Sequence, residues 1–355
     1  MIPYYVIYAL VLAGIPICLI DDIQVRKNAQ YIYFSFIVLA LTVFAGVRSS
    51  HVDRDYANYI IWFNEIANGS ANQMWWMRDP PFALLSYAIS KIGLSFSAVA
   101  VTYAFIGLIS TINLVVLTVS SRWSILYFYL FFCQYFIVGE MTEIRSAVAI
   151  PLMLTSLYYA CEKRWPRSVF FLVIALLFHL SVLIVLPILI LLFIGVRYRT
   201  RIWLIFLLAI WALATMGMSR VVDSFSNFYR ISEYIHGVDS SSDRVVVSWY
   251  VIAHLLTIAV CITLLWKKLS LHQRMATICC GSGIMLYQIF VTYKTLAIRL
   301  LYPFDLCWIL LLIVFMERLQ GNKRLLYAGI LVAAGFIFYI QSVQYLVEPY
   351  STIFD

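Results

Sequence analysis

Charged residues are scarce in this chain of 355 residues: they make up 12% of it, whereas ordinary soluble domains carry about 25%. Hydrophobic residues account for 64%, and no proline-rich, glycine-rich or charged stretch separates one part of the chain from another. The composition excludes a soluble globular protein. It predicts an all-α polytopic membrane protein with one integral membrane domain over residues 1–355.

The sequence also lacks the signatures of several soluble enzyme classes. It has no Walker loop, Rossmann fingerprint, zincin motif or serine-hydrolase elbow, so we expect no nucleotide or other cofactor. Its seven cysteines lie in or beside apolar segments without metal-ligand spacing, and we interpret them as small core residues. The surplus of basic residues is typical of cytoplasmic membrane loops, so we expect no nucleic-acid partner.

Long apolar segments predict the membrane-crossing helices. They lie near 4–20, 31–47, 98–120, 124–139, 146–160, 168–196, 202–218, 248–266, 275–292, 300–316 and 325–342. Segment 168–196 could cross once or twice. Two crossings with a turn at 179–181 would put the basic loops near 163–167, 197–201 and 267–274 on one side, as the positive-inside rule favours. We therefore expect about 11–12 transmembrane helices.

The same topology predicts two long loops at the outer face, 48–97 and 219–247. Within the first loop, the stretch from Phe82 to Gly93 is apolar but too short to span a bilayer. It follows Asp79 and two prolines, which stop one element and preset the first turn of the next. We expect a short interfacial or re-entrant helix there.

Three arginines, Arg48, Arg145 and Arg299, sit at predicted outer ends of helices, where arginine is scarce. Guanidinium groups stay charged and bind phosphate oxygens in bidentate fashion, so the three indicate an anionic ligand such as a pyrophosphate. Each also has a structural alternative. Arg48 could be an interfacial anchor, Arg145 could pair with a nearby glutamate, and Arg299 could pair with Asp305.

Two further features have both structural and functional interpretations. His179 is a lone histidine in an apolar stretch, so it is either a core residue or, at a predicted turn on the charged face, a general base. Asp53 and Asp55 have the spacing of a D-x-D metal motif, but Arg54 between them weakens that interpretation.

Several short motifs occur in a fixed order between about residues 40 and 305. They are G-x-R at 46–48 and D-x-x-x-Y-x-x-x-F at 55–63, Asp-Pro-Pro-Phe at 79–82, Ile-Arg-Ser-Ala at 144–147, His-Leu-Ser at 179–181, and Arg-Leu-Leu-Tyr-Pro-Phe at 299–304. In order and spacing this set resembles the EpsG-like branch of Wzy-type O-antigen and exopolysaccharide polymerases. The chain departs from the family's pattern in having Asp79 for Glu and Ser146 for Gln.

The resemblance implies a GT-C-like bundle that acts at the periplasmic face of a bacterial inner membrane. Such enzymes join glycan repeat units carried on undecaprenyl pyrophosphate, with one lipid-linked oligosaccharide as donor and another as acceptor, and release undecaprenyl pyrophosphate. A chain-length regulator is a further candidate partner. The resemblance also implies a one-step inverting transfer without a metal ion.

The same resemblance implies roles for individual residues. Arg48, Arg145 and Arg299 would stabilise the leaving pyrophosphate. The general base would be His179 or Asp55, with Glu143 as a third candidate. The remaining expected substrate contacts are Asp79, Tyr56 and Tyr302 and, from the side and polarity of the loop 219–247, Arg230, Tyr234 and Arg244.

Other functions remain open on the sequence alone. A flippase or transporter for lipid-linked sugars would also have many spans and a cationic surface, although it usually has inverted repeats and charges at mid-membrane depth. An O-antigen ligase would share the chemistry but use a different acceptor. The sequence leaves the sugars, the linkage, the chain length and the oligomeric state undetermined.

Overall fold

The computed structural model of the chain describes residues 1–69, 80–195, 202–203, 249–290 and 294–354. Within these ranges the regular structure is helical, apart from an isolated antiparallel bridge between Arg48 and Thr352. The predicted all-α polytopic class is confirmed. A bilayer favours this class because a helix satisfies its backbone hydrogen bonds internally.

The helices are labelled in chain order. They are α1 (Ile2–Leu12), α2 (Ile23–Gly46), α3 (Tyr56–Ala67), α4 (Pro80–Lys91), α5 (Phe96–Thr118), α6 (Ser124–Phe131), α7 (Ile144–Cys161), α8 (Trp165–Phe178), α9 (Leu186–Phe193), α10 (Trp249–Val260), α11 (Leu271–Ile289), α12 (Lys294–Glu317) and α13 (Gly321–Leu346). A π-helix, Phe132–Thr142, continues α6, and a second one, Cys261–Leu265, continues α10.

Eight helical segments in the described ranges are long and apolar enough to cross a membrane. They are Ile2–Leu19, Ile23–Gly46, Phe96–Thr118, Ser124–Thr142, Ile144–Cys161, Trp249–Lys268, Leu296–Glu317 and Gly321–Leu346. Helix α11, Leu271–Ile289, covers most of the predicted segment 275–292 but is not among the eight. Segment 202–218 lies almost entirely outside the described residues, so the expected total of 11–12 spans stays a prediction.

The chain groups into two compact units. Unit 1 consists of Met1–Tyr159, Lys163–Leu183 and Met316–Asp355, and unit 2 consists of Ala160–Glu162 and Ile184–Phe315. The single integral domain expected from the sequence stays a prediction. Most of the sequence-predicted site residues that the structure describes belong to unit 1, whereas Arg299 and Tyr302 belong to unit 2.

The close approach of α2 to α5 fixes where the first outer loop begins. A Cβ added to Gly46, the last residue of α2, would lie 2.7 Å from the Cα of Val101. Real Cβ atoms do not come that close to backbone, so only glycine allows this packing. The packing of Gly46 against Val101 therefore fixes the backbone position at which the loop that carries Arg48 begins.

The predicted short helix in the first outer loop is present as α4. It begins with Pro80 and Pro81, whose fixed φ suits a first turn, and ends just before Gly93, which has a φ of 76°. Its length of 12 residues is too short to cross a bilayer. Its depth in the membrane stays a prediction.

The long apolar segment at 168–196 is interrupted where the two-crossing topology requires. Helix α8 ends at Phe178, and His179 is extended, with φ −161° and ψ 122°. A 3₁₀ turn, Leu180–Val185, then leads into α9. The structure places a break at His179, whereas the number of crossings stays a prediction.

The π-helix Phe132–Thr142 packs on α13 in the interior of unit 1. The rings of Phe132 and Tyr339 stack with centroids 5.0 Å apart, and the hydroxyl of Tyr339 donates to the Tyr4 carbonyl at 2.8 Å. All seven cysteines of the chain are free and buried, which confirms their interpretation as core residues.

Candidate functional site

Arg48 is fully buried and makes its polar contacts with protein atoms. Its Nε donates to Oδ2 of Asp53 at 2.6 Å, and its two terminal nitrogens donate to the carbonyls of Ala45 and Met141. The guanidinium carbon also lies 4.6 Å from the ring centroid of Tyr56. Arg48 therefore ties the end of α2 to the end of the π-helix and to the loop that precedes α3.

Asp53 links this arginine to α3. Its Oδ1 accepts from the backbone nitrogens of Asp55 and Tyr56, both at 3.1 Å, which satisfies donors at the start of the helix. From the sequence, Asp53 is part of a charged cluster with Arg48 and Asp55 and of a weak metal motif, and neither interpretation predicts that it binds the start of α3. The available signal was an aspartate two to three residues before a helix start, where it caps the first turn.

Helix α3 presents an aromatic surface to Arg145, which lies in the first turn of α7. The Arg145 guanidinium carbon is 5.0 Å from the ring centroid of Trp62 and 5.6 Å from that of Tyr59. Burial raises the pKa of Tyr59 to about 12, although the Arg145 charge and a hydrogen bond from Arg145 lower it. The charges of Asp55 and Glu143 raise the same pKa, so both carboxylates face this cluster.

Glu143 lies immediately before α7 and is half-buried. Its backbone nitrogen donates to Val138 at 2.7 Å, five residues back, which is the spacing of the π-helix. Its Oε2 accepts from the hydroxyl of Ser146 at 3.0 Å. Ser146, at the position where the family motif has Gln, thus orients one of the candidate bases.

An unbroken chain of ring contacts leads from the Arg145 cluster to the break at His179. Tyr59 contacts Phe82 of α4 with centroids 5.7 Å apart, and Phe82 contacts Tyr103 of α5 at 6.1 Å. Tyr103 in turn contacts Phe178 at 5.6 Å, next to His179. Arg145 therefore contacts one end of an aromatic series within unit 1, and the other end of the series, Phe178, is the residue before His179.

The sequence that carries these residues matches a known protein family. A family model described as EpsG family matches residues 31–352. The chain belongs to the EpsG family. Family membership indicates a polysaccharide polymerase-type membrane protein. No curated protein and no solved structure matches the chain.

The EpsG match extends beyond the sequence motifs, which lie between about 40 and 305. It begins inside α2 and ends at residue 352, in the segment that follows α13. It therefore includes Arg48 with the loop around it, Arg145, His179 and Arg299, together with Thr352, the bridge partner of Arg48. Sequence reasoning did not assign this late segment to the family.

Glu140 of this EpsG-family protein lies apart from the local ion pair considered from the sequence. It is 1% exposed, and among the described residues neither carboxylate oxygen has a hydrogen-bond partner. A Cβ added to Gly107 of α5 would lie 2.5 Å from its Oε2, so this glycine makes room for the carboxylate. Glu140 is thus a buried acid that makes no hydrogen bond or ion pair with Arg145.

Unit 2 contains the late motif of the EpsG signature. Arg299 and Tyr302 lie in the first part of α12, and both are half-buried. Asp305, one turn after Tyr302, is buried, and its Oδ1 lies 3.4 Å from Nε2 of His254. Sequence reasoning proposed Asp305 as the partner of Arg299 and did not consider His254.

His254 is enclosed by aromatic and polar groups of unit 2. Its Nδ1 lies 2.9 Å from the Tyr250 carbonyl, and its ring stacks on Trp308 with centroids 4.0 Å apart. The sequence signal for this pair was the presence of two ionisable residues inside apolar segments, His254 in one segment and Asp305 in another.

Four expected substrate contacts cannot be placed. Asp79, Arg230, Tyr234 and Arg244 lie outside the described residues. Their assignments stay predictions.

Proposed function

We propose that this EpsG-family protein polymerises a polysaccharide by transferring glycan from one undecaprenyl pyrophosphate onto the next lipid-linked repeat unit at the periplasmic face. The observation that supports the proposal best is the contact of Arg145 with the rings of α3, from which ring contacts continue to Phe178, the residue before His179. A phosphate-binding cation, a candidate base and ring surfaces for sugars are the three elements that this chemistry needs.

In this proposal Arg145 binds the leaving pyrophosphate. Its guanidinium is half-buried and is oriented by the faces of Trp62 and Tyr59, so it is preorganised toward a fixed direction. A preorganised cation stabilises the negative charge that develops as the glycosidic bond breaks.

Arg48 has a different part in the proposal from the one that the resemblance implies. Its contacts with Asp53 and two backbone carbonyls leave it buried, with a relative exposure of 0%. We propose that Arg48 positions α3, and that α3 in turn positions Arg145. Direct contact with the pyrophosphate would require those contacts to break.

The proton balance of the reaction requires one base, for which His179 and Asp55 are the first candidates and Glu143 is the third. The acceptor hydroxyl attacks the anomeric carbon, a new C–O bond forms, and the bond from that carbon to the pyrophosphate oxygen breaks. The hydroxyl proton passes to His179, which is half-buried at the break, or to Asp55, which is half-buried at the start of α3. One displacement inverts the anomeric centre and needs one base.

The test is the glycan ladder of a deletion strain complemented with variants. We expect Arg145→Ala and Arg145→Lys to yield single-repeat glycans, because a lysine lacks the planar fork that binds phosphate. His179→Ala is expected to do the same if His179 is the base. Matched controls are Arg54→Ala and His51→Ala, since both side chains are exposed, and they should give normal ladders.

Membrane levels of every variant are measured in parallel. Full-length ladders from correctly inserted Arg145→Ala would contradict the assignment of pyrophosphate binding. Ladders from all three site variants would contradict the proposed site, and a deletion strain that makes full-length ladders without complementation would contradict the polymerase proposal itself.

One observation supports a flippase as the second candidate. Asp305 lies near the middle of the span Leu296–Glu317 and faces His254 of another span, and charged groups at such depth are typical of transporters. The two functions differ in the deletion strain. Loss of a polymerase leaves single repeats exposed on the outer leaflet, whereas loss of a flippase retains them on the cytoplasmic leaflet.

A further inference from the structure

The 347–354 segment, which follows α13, pairs with the loop that carries Arg48. Three backbone hydrogen bonds of 2.9, 2.9 and 3.0 Å join them: Ser49 N to Ser351 O, Ile353 N to Val47 O, and Glu348 N to Val52 O. The bridge between Arg48 and Thr352 lies among these bonds. The segment therefore contacts the loop over almost its whole length.

Side chains strengthen the same pairing. Tyr350 stacks on Phe44 with centroids 4.3 Å apart, and its hydroxyl donates to the Phe44 carbonyl at 2.7 Å. The hydroxyl oxygens of Ser49 and Ser351 are 2.5 Å apart. The Tyr4 hydroxyl of α1 donates to the carbonyl of Glu348 at 3.0 Å, so α1 also binds the segment.

The loop that pairs with this segment also binds the start of α3. Arg48 and Asp53 lie on the loop, and Asp53 caps the first turn of α3. Helix α3 then presents Tyr59 and Trp62 to Arg145. The path from the 347–354 segment to Arg145 consists of one backbone pairing, one helix cap and one cation–aromatic contact.

We propose that the 347–354 segment is a clamp that positions Arg145 by fixing the Arg48 loop and α3. Its residues are positioning residues and do not touch substrate. The importance of the clamp for glycan synthesis rests on the proposed function, whereas its effect on the order of α3 does not. The EpsG match, which continues to residue 352, includes residues 347–352 of the clamp.

Proline substitutions test the backbone bonds while keeping the side chains of Tyr350, Ser351 and Ser49 that strengthen the pairing. Glu348→Pro removes the N–H that donates to Val52, and the extended Val347 before it, with φ −131° and ψ 150°, tolerates a following proline. Ile353→Pro removes the N–H that donates to Val47. The matched controls Glu348→Ala and Ile353→Ala keep both donors.

We expect each proline variant to lower ladder synthesis about tenfold or more at an equal membrane level, because small misplacements of catalytic groups are costly. The alanine controls should remain near the wild type. In purified protein, amide exchange over residues 47–67 should become faster in the proline variants alone.

A disulfide lock provides the rescue. The short distance between the hydroxyls of Ser49 and Ser351 suits a disulfide in the double variant Ser49→Cys/Ser351→Cys. We expect this bond to form with an oxidant, to preserve synthesis, and to restore it when combined with Glu348→Pro. Reduction should abolish the rescue, and each single cysteine variant serves as a control.

Wild-type ladders and wild-type exchange in both proline variants would overturn the clamp. So would a disulfide that forms but fails to rescue Glu348→Pro. If the wild-type protein makes no ladder, the proposed function fails, but exchange over 47–67 still decides whether the clamp orders α3.

Discussion

The Nε of Arg48 lies 2.6 Å from Oδ2 of Asp53, and neither side chain has any exposed surface. A buried ion pair is weak evidence for stability, since desolvation offsets the attraction. Removing one partner is different, because it leaves the other charge unpaired in apolar surroundings. This pair also joins α2, the π-helix and α3, so its loss would disturb all three elements.

We expect Arg48→Met and Asp53→Leu each to destabilise the protein by about 3–5 kcal/mol, while the double variant is less destabilised than either single one. The unfolding temperature in detergent, with and without each substitution, measures this. Arg54→Ala is the matched control because that side chain is exposed. Additive losses in the double variant would argue against a coupled pair.

The packing of Glu140 against Gly107 predicts a compensating pair of substitutions. Gly107→Ala should lower the unfolding temperature, since the new Cβ would lie 2.5 Å from the carboxylate of Glu140. Adding Glu140→Ala removes that carboxylate and should recover most of the loss. A thermal unfolding cycle of the four proteins measures the coupling, and an equal effect of Gly107→Ala in both backgrounds would contradict the contact.

The buried pair of His254 and Asp305 predicts a second such cycle, in unit 2. His254→Phe keeps a ring against Trp308 but removes the polar partner of Asp305, and we expect a loss of about 3 kcal/mol. Adding Asp305→Leu should recover part of it, because an apolar pair leaves no buried polar atom unsatisfied. His272→Phe does not serve as a matched control, because His272 is partly exposed beside Glu162 whereas His254 is buried.

Tyr59 predicts a dependence of stability on alkaline pH. Its pKa is raised to about 12 in the folded protein, above the ordinary value near 10. Its contribution is fully present below pH 10 and is lost as the pH rises toward 12, because the unfolded chain loses the phenolic proton first. The stability difference between wild type and Tyr59→Phe should fall over that interval, and a constant difference would contradict the burial of the hydroxyl.

Local sequence features predicted much of the fold. Apolar segments of membrane length define most of the spans, because the bilayer demands internally bonded helices. The break at His179 was predicted from the basic loops on either side of it, which the positive-inside rule assigns to one face. The short helix α4 was predicted from Pro80 and Pro81, whose effect on backbone geometry is local.

The contacts that organise the site were not predictable in this way. Arg145 is held by Trp62 and Tyr59, more than eighty residues earlier in the chain. Tyr59 belongs to the D-x-x-x-Y-x-x-x-F motif, but nothing in the sequence links either ring to Arg145. The carbonyl of Met141 binds Arg48 only because the π-helix and α2 end side by side. Such pairings depend on how the helices pack, and packing leaves no periodic pattern in one sequence.

The pairing of Ser49 with Ser351 also sets an order of events in biosynthesis, since the two residues are 302 positions apart. The Arg48 loop leaves the ribosome early, directly after the second predicted span. Its backbone partners are made only after the last described span has been synthesised. Until then the loop lacks its final hydrogen bonds, and the protein cannot complete its candidate site while it is still being inserted.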